Sequence, residues 1–129
     1  TVPNRKLIRH FLRSIFYNHA FCTDPLIDEL YRIRRLTGNK QSMLFILRSG
    51  VSLLGVSPDI LLTDRLNLID NSVLLIWGQN DPIFPVAHAK QAVPIFPNAR
   101  LEIFDNCGHW PHVEAYNKFN RLVSEFCAT

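Results

Sequence analysis

A chain of 129 residues with 47% hydrophobic and 19% charged side chains is long enough to bury a core and too apolar to stay disordered. Its net charge of +3 is small and scattered, which gives no footing for nucleic acid, and no apolar run approaches the roughly 18 residues of a membrane span. Cys22, Cys107 and Cys127 are an odd set without a C-x-x-C pair, so a reducing, cytoplasmic setting is expected rather than a disulfide framework. The chain opens on Thr1, not Met, which leaves open both a lost leader and a start inside something larger.

Leu7, Ile8, Phe11, Leu12, Ile15 and Phe16 recur at helical spacing and predict one buried face of a first helix. Arg5, Arg9 and Arg13 fall four apart and predict a solvated stripe on that helix. Asp24-Pro25 reads as an N-cap followed by proline at the first helical position, opening a second helix from Pro25 to Leu36. Gly38 and Asn39, which accept left-handed conformations, end it. A third helix is expected from Gln41 to Leu54, broken by Gly55 to Pro58.

The second half changes character. Ser72 to Trp77 is a continuous apolar run ended by Gly78, as in a parallel strand buried on both faces. A helix from Val86 to Val93, a turn at Pro94 and Pro97, and a second strand from Leu101 to Phe104 follow. Asp105 to Pro111 reads as a loop, and His112 to Cys127 as one amphipathic helix with Val113, Tyr116, Phe119, Leu122, Val123 and Phe126 inward. Strand, helix, strand implies a βαβ unit with parallel strands, and two such strands are an incomplete sheet.

Functional groups in open α/β sheets gather just beyond the carboxyl ends of strands. Asp81 follows Trp77 by four residues and His109 follows Phe104 by five, so both should lie on one rim. A carboxylate there can fix an imidazole's tautomer and stabilise the imidazolium, and histidine titrates near neutrality. Gly108 would let the backbone turn tightly before His109. Cys107, His109 and His112 imitate a zinc set without a fourth ligand, and neither metal nor cofactor is expected. Cys107 lacks the setting of a nucleophile; His10, His19 and His88 read as structural or solvated, and Glu114 as a helix-dipole residue.

Trp77-Gly78-x-x-Asp81-x-x-x-Pro85, then Cys107-Gly108-His109-Trp110 and a helix with Glu114 and Phe119-Asn120, resembles the C-terminal half of the α/β-hydrolase superfamily. The likeness covers residues 66–127 well and residues 5–62 more loosely, as a cap. It implies an α/β fold: residues 1–63 a helical cap or lid, residues 64–129 the last two parallel strands of the core with flanking helices. It also implies a triad in which Asp81 is the acid and His109 the base. Within the superfamily the chain is similar to the meta-cleavage product hydrolases, which cut carbon–carbon bonds in ring-fission dienoates. That likeness makes Trp110 and Arg34 substrate-binding residues, Arg34 pairing with the dienoate carboxylate. Taken by themselves, Trp110 also fits core packing and Arg34 a surface charge.

One departure stands out. The nucleophile elbow Gly-x-Ser-x-Gly is absent, and Gly50-Val51-Ser52-Leu53-Leu54-Gly55 has the wrong spacing. The expectation is a serine-type hydrolase of small ester or C–C substrates, present without its nucleophile half and inactive alone. A rival reading is a truncated, non-catalytic interaction protein, or a half-enzyme complemented by another chain. An exposed apolar sheet edge would also invite self-association into a homo-oligomer.

Overall fold

The structure is a computed structural model that describes residues 4–52, 55–56 and 62–128. It begins with helix α1 (Arg5–Ile15), capped by the Asn4 side chain, which accepts from Lys6 N–H. Ile8, Leu12, Ile15 and Phe16 are buried as the spacing predicts, whereas Leu7 and Phe11 stand exposed on the flank of that stripe. The arginine stripe is solvent-exposed, yet Arg5 and Arg9 reach Asp28 and Asp24 on the next helix.

Helix α2 (Asp24–Arg34) starts one residue earlier than expected. Thr23, not Asp24, is its N-cap: the Thr23 hydroxyl accepts from Leu26 N–H while the Asp24 carboxylate is engaged by Arg9. Gly38 takes the left-handed conformation at φ +84°, but Asn39 already opens helix α3 (Asn39–Gly50). The third helix therefore stops at Gly50, short of Leu54. Val51–Ser52 (β1) and Gly55–Val56 (β2) form an antiparallel pair instead, because β-branched valines and a glycine favour a hairpin over a continuing helix. Leu53, Leu54, Ser57 and Pro58 lie outside the described residues.

The sheet is β3 (Val73–Gly78) and β4 (Ala99–Phe104), parallel and in register from Val73 opposite Ala99 to Gly78 opposite Phe104. Helix α4 (Val86–Ala92) links them and buries Ala89. The final helix divides into α5 (Pro111–Glu114) and α6 (Tyr116–Cys127), since Ala115 at φ −134° leaves the helical region. That break turns Tyr116 outward to 53% exposure, against its expected inward place.

Two apolar clusters result. Ile8, Leu12, Ile15, Phe16 and Ile27 join α1 to α2, with Trp110 and Val113 packed on them. Phe104, Cys107 and Leu122 join the sheet to α6. Except at Gly78, β3 is only half-buried, contrary to the two-sided burial expected of it. Among the described residues it has one strand neighbour, so part of its surface meets no covering layer. No described helix is long and apolar enough to cross a membrane.

Candidate active site

Because β3 and β4 end level, their exit loops leave from one rim of the sheet. The ladder runs one step further, Gln79 N–H donating to the Phe104 carbonyl, and Asn80 N–H then donates to the Cys107 carbonyl. The loops are so close that a Cβ on Gly78 would lie 1.9 Å from the Gly108 carbonyl oxygen. Gly108 is needed for a similar reason. Its φ is not positive, and a Cβ there would meet the Ile15 carbonyl oxygen at 2.2 Å. The left-handed residue of this loop is Asn106, at φ 52°. Close approach, rather than the tight turn expected at Gly108, is what requires glycine.

Asp81 is held at every acceptor. Its Oδ1 accepts from Ile83 N–H at 2.8 Å and Phe84 N–H at 2.9 Å, closing an Asx turn. Its Oδ2 faces His109 Nδ1 at 2.9 Å. The Trp77 indole donates to the Phe84 carbonyl at 2.8 Å and pins the far end of the same loop. The Asp81 side chain keeps 6% of its exposure and that of His109 keeps 25%. Desolvation alone would raise the Asp81 pKa, but the hydrogen bonds from His109, Phe84 and Ile83 together outweigh it and hold the carboxyl below its usual range. An ionised carboxylate only accepts, so the Nδ1–H of His109 donates to it, and in the neutral imidazole that tautomer puts the free lone pair on Nε2. The Phe84 ring lies 5.4 Å from the imidazole, centroid to centroid.

The backbone of His109 is braced from the first helix. His109 N–H donates to the Ile15 carbonyl at 2.9 Å. Glu114 Oε1 accepts from Gly108 N–H at 2.8 Å, while its Oε2 accepts from Tyr17 at 2.8 Å and Asn18 at 3.0 Å. The spacing of Glu114 suggested only a helix-dipole residue. Its partners Tyr17 and Asn18 lie far back in the chain, where no local pattern points to them.

Asp81 and His109 thus come together as their positions predict, whereas the Trp110 and Arg34 side chains make their contacts with other groups. Trp110 packs edge-on against Phe16 at 5.4 Å, and His112 lies between Trp110 and Phe119. The Arg34 guanidinium lies over the Phe11 ring at 5.8 Å. Arg34 also lines a surface hollow of about 390 Å³ with Arg35, Lys40 and Gln41, and neither Asp81 nor His109 borders it. Cys107 is buried, and burial first, then the Glu114 and Asp81 charges, pushes its thiol up to about 12. It stays a protonated packing residue. Among the described residues no group of three or more His, Cys, Asp or Glu is placed to hold a metal.

The 2-hydroxy-6-oxononadienedioate/2-hydroxy-6-oxononatrienedioate hydrolase 1 of Dechloromonas aromatica is 34% identical over 118 residues, 89% of this chain and 40% of that protein. The 2-hydroxy-6-oxo-6-phenylhexa-2,4-dienoate hydrolase of Burkholderia cepacia is 30% identical over 98% of this chain and 43% of its own length. The solved meta-cleavage product hydrolase of Pseudomonas fluorescens IP01 superposes with a TM-score of 0.81 at 25% identity, over 99% of this chain and 47% of that one. The chain therefore spans less than half the length of these relatives. Residues 48–116, just over half of it, match the family model described as the alpha/beta hydrolase fold. On that match, and on a parallel sheet with flanking helices that superposes on a solved member, this chain belongs to the α/β-hydrolase family.

Proposed function

We propose that this chain supplies the acid and base of a serine-type triad, Asp81 and His109, to a hydrolase whose nucleophile elbow lies outside these 129 residues. The observation that carries the reading is the 2.9 Å Nδ1–Oδ2 bond, made by a carboxylate whose other oxygen is already occupied. In this reading His109 Nε2 takes the serine proton as the serine attacks the substrate carbonyl, and Asp81 stabilises the imidazolium. The names of the relatives support a ring-fission dienoate as substrate. Ketonisation then precedes attack, the C–C bond breaks with its electron pair on the departing carbon, and His109 protonates that carbon. Water, deprotonated by His109, frees the serine from the acyl group.

Residues 1–63 would act as the cap and 64–129 as core. Trp110 and Arg34 would bind substrate, Arg34 through the carboxylate. Its separate hollow makes Arg34 the more independent element: Arg34→Ala should raise KM while leaving kcat nearly unchanged. The free thiols of Cys22, Cys107 and Cys127 support a reducing, cytoplasmic setting.

The test joins this chain to the N-terminal portion of a matched relative and follows hydrolysis of an activated ester and of 2-hydroxy-6-oxo-6-phenylhexa-2,4-dienoate. The chain alone should be inert and the joined protein active. His109→Ala should then cost on the order of 10⁴-fold or more in kcat. Activity that survives His109→Ala would remove the triad reading.

A second reading, an interaction protein or complementing half, draws on the half-buried sheet. Val73 to Trp77 are only half-buried, and Leu62, Leu68 and Phe84 are more than half exposed. Restored turnover on adding a separate N-terminal half would favour complementation. Binding without turnover would favour the inert form.

A further inference from the structure

We infer that Glu114 is a positioning residue, one carboxylate that ties the end of α1 to the His109 loop and so sets where the imidazole stands. The inference rests on the proposed role of His109, although its geometry is independent of any reaction. Glu114 spans two segments that also meet through the Phe16 and Trp110 rings, and it adds the charged hydrogen bonds between them. Oε1 accepts from Gly108 N–H, in the 107–108 peptide, and Oε2 accepts from Tyr17 and Asn18, the two residues following Phe16 at the end of α1. The next amide along, His109 N–H, donates to Ile15, again on α1. The two peptides that flank the Gly108 Cα, the second of which enters His109, are thus both referred to one helix end.

Three backbone donors converge on this carboxylate, and no neutral side chain of the same shape can accept from all of them. A glutamine keeps one acceptor oxygen, and its NH₂ group would face N–H groups donor to donor. Charge-assisted bonds of this type are also about twice as strong as neutral ones. Gly108 is buried, so water is poorly placed to replace the lost acceptor. No slack exists in the other direction either, since a Cβ on Gly108 would come within 2.9 Å of Glu114 Oε1. Freed from Glu114, the 107–108 peptide can rotate and loosen the approach to His109. A drift of about 1 Å at a catalytic group is enough to cost on the order of 10²-fold in rate.

The experiment uses the whole 129-residue chain with ¹⁵N-labelled histidine. The readouts are the downfield His109 Nδ1 proton, the imidazole ¹⁵N shifts that report its tautomer, and amide exchange at Tyr17, Asn18 and Gly108. In Glu114→Gln the downfield proton should broaden away and the three amides should exchange about tenfold faster or more. Val113→Ala, which trims a neighbouring packing residue without touching these bonds, should lower the melting temperature and keep the Nδ1 proton. Glu114→Asp retains the charge but is too short to reach both segments, and should give a partial loss. If Glu114→Gln fails to fold, Glu114→Asp is read on the same scale.

A Glu114 variant that melts earlier yet keeps both the Nδ1 proton and the Gly108 protection would overturn the inference. So would a parent chain that lacks the downfield proton. Failure of the catalytic reading looks different: His109→Ala would leave turnover intact in the joined protein, whatever the spectra of the Glu114 variants show.

Discussion

The two apolar clusters of this molecule are built from similar residues and end in different states. The cluster under α1 and α2 is closed: Ile8, Leu12 and Ile15 are at 0% exposure. The sheet cluster is shut only at Phe104, Cys107 and Leu122, while Val73 to Trp77 remain half-buried. Two amphipathic helices can complete each other's apolar faces, whereas a parallel strand needs a neighbour on each edge and a layer on each face. Burial in this chain therefore follows how many partners an element requires, more than how hydrophobic it is.

That contrast can be tested from its sharpest point downward. Gly108→Ala, at the seam where the two clusters meet, forces a Cβ into the Ile15 carbonyl and should cost about 4 kcal/mol or more, read as loss of a cooperative melt. In the closed cluster, Leu12→Ala should cost about 3 kcal/mol by thermal or urea unfolding. Leu74→Ala on the half-buried strand should cost nearer 1 kcal/mol, because less of its surface leaves water on folding. Equal losses at the two positions would mean that the sheet is covered in solution, by a second copy or another partner.

The acid limb is a finer probe. Folding lowers the Asp81 pKa, so its stabilisation is complete above the unfolded value of about 4 and disappears as pH falls through the folded value. The melting temperature should drop across that window in the parent chain, with a smaller drop in Asp81→Asn. Smallest of all should be Arg5→Ala. Its bond to Asp28 joins two side chains more than half exposed, and its loss should leave the melting temperature unchanged within error.

Much of this arrangement is legible from the residues alone. A run such as Val73 to Trp77 closed by a glycine has few alternatives to a buried-type strand, and the helical period of α1 is strict. Asp81 and His109 could be paired from strand-end counting, because parallel strands in register bring their exit loops to one rim whatever the loops contain. Boundaries were less readable. The N-cap of α2 is Thr23, with Asp24 bonded to Arg9 instead, and α3 gives way to the β1–β2 pair. The Arg9 partner of Asp24 lies fifteen residues back, where local propensity does not reach.

By itself, then, the sequence determines α1, α2, the two parallel strands and the two residues that face each other across the rim, since these follow from short-range periodicity and spacing. Only the tertiary structure decides why Gly78 and Gly108 must be glycine, that Cys107 is sealed as a thiol, and that Glu114 bridges helix α1 to the histidine loop. Those depend on backbone groups from distant segments meeting within 3 Å, a distance that appears only when the chain has closed on itself.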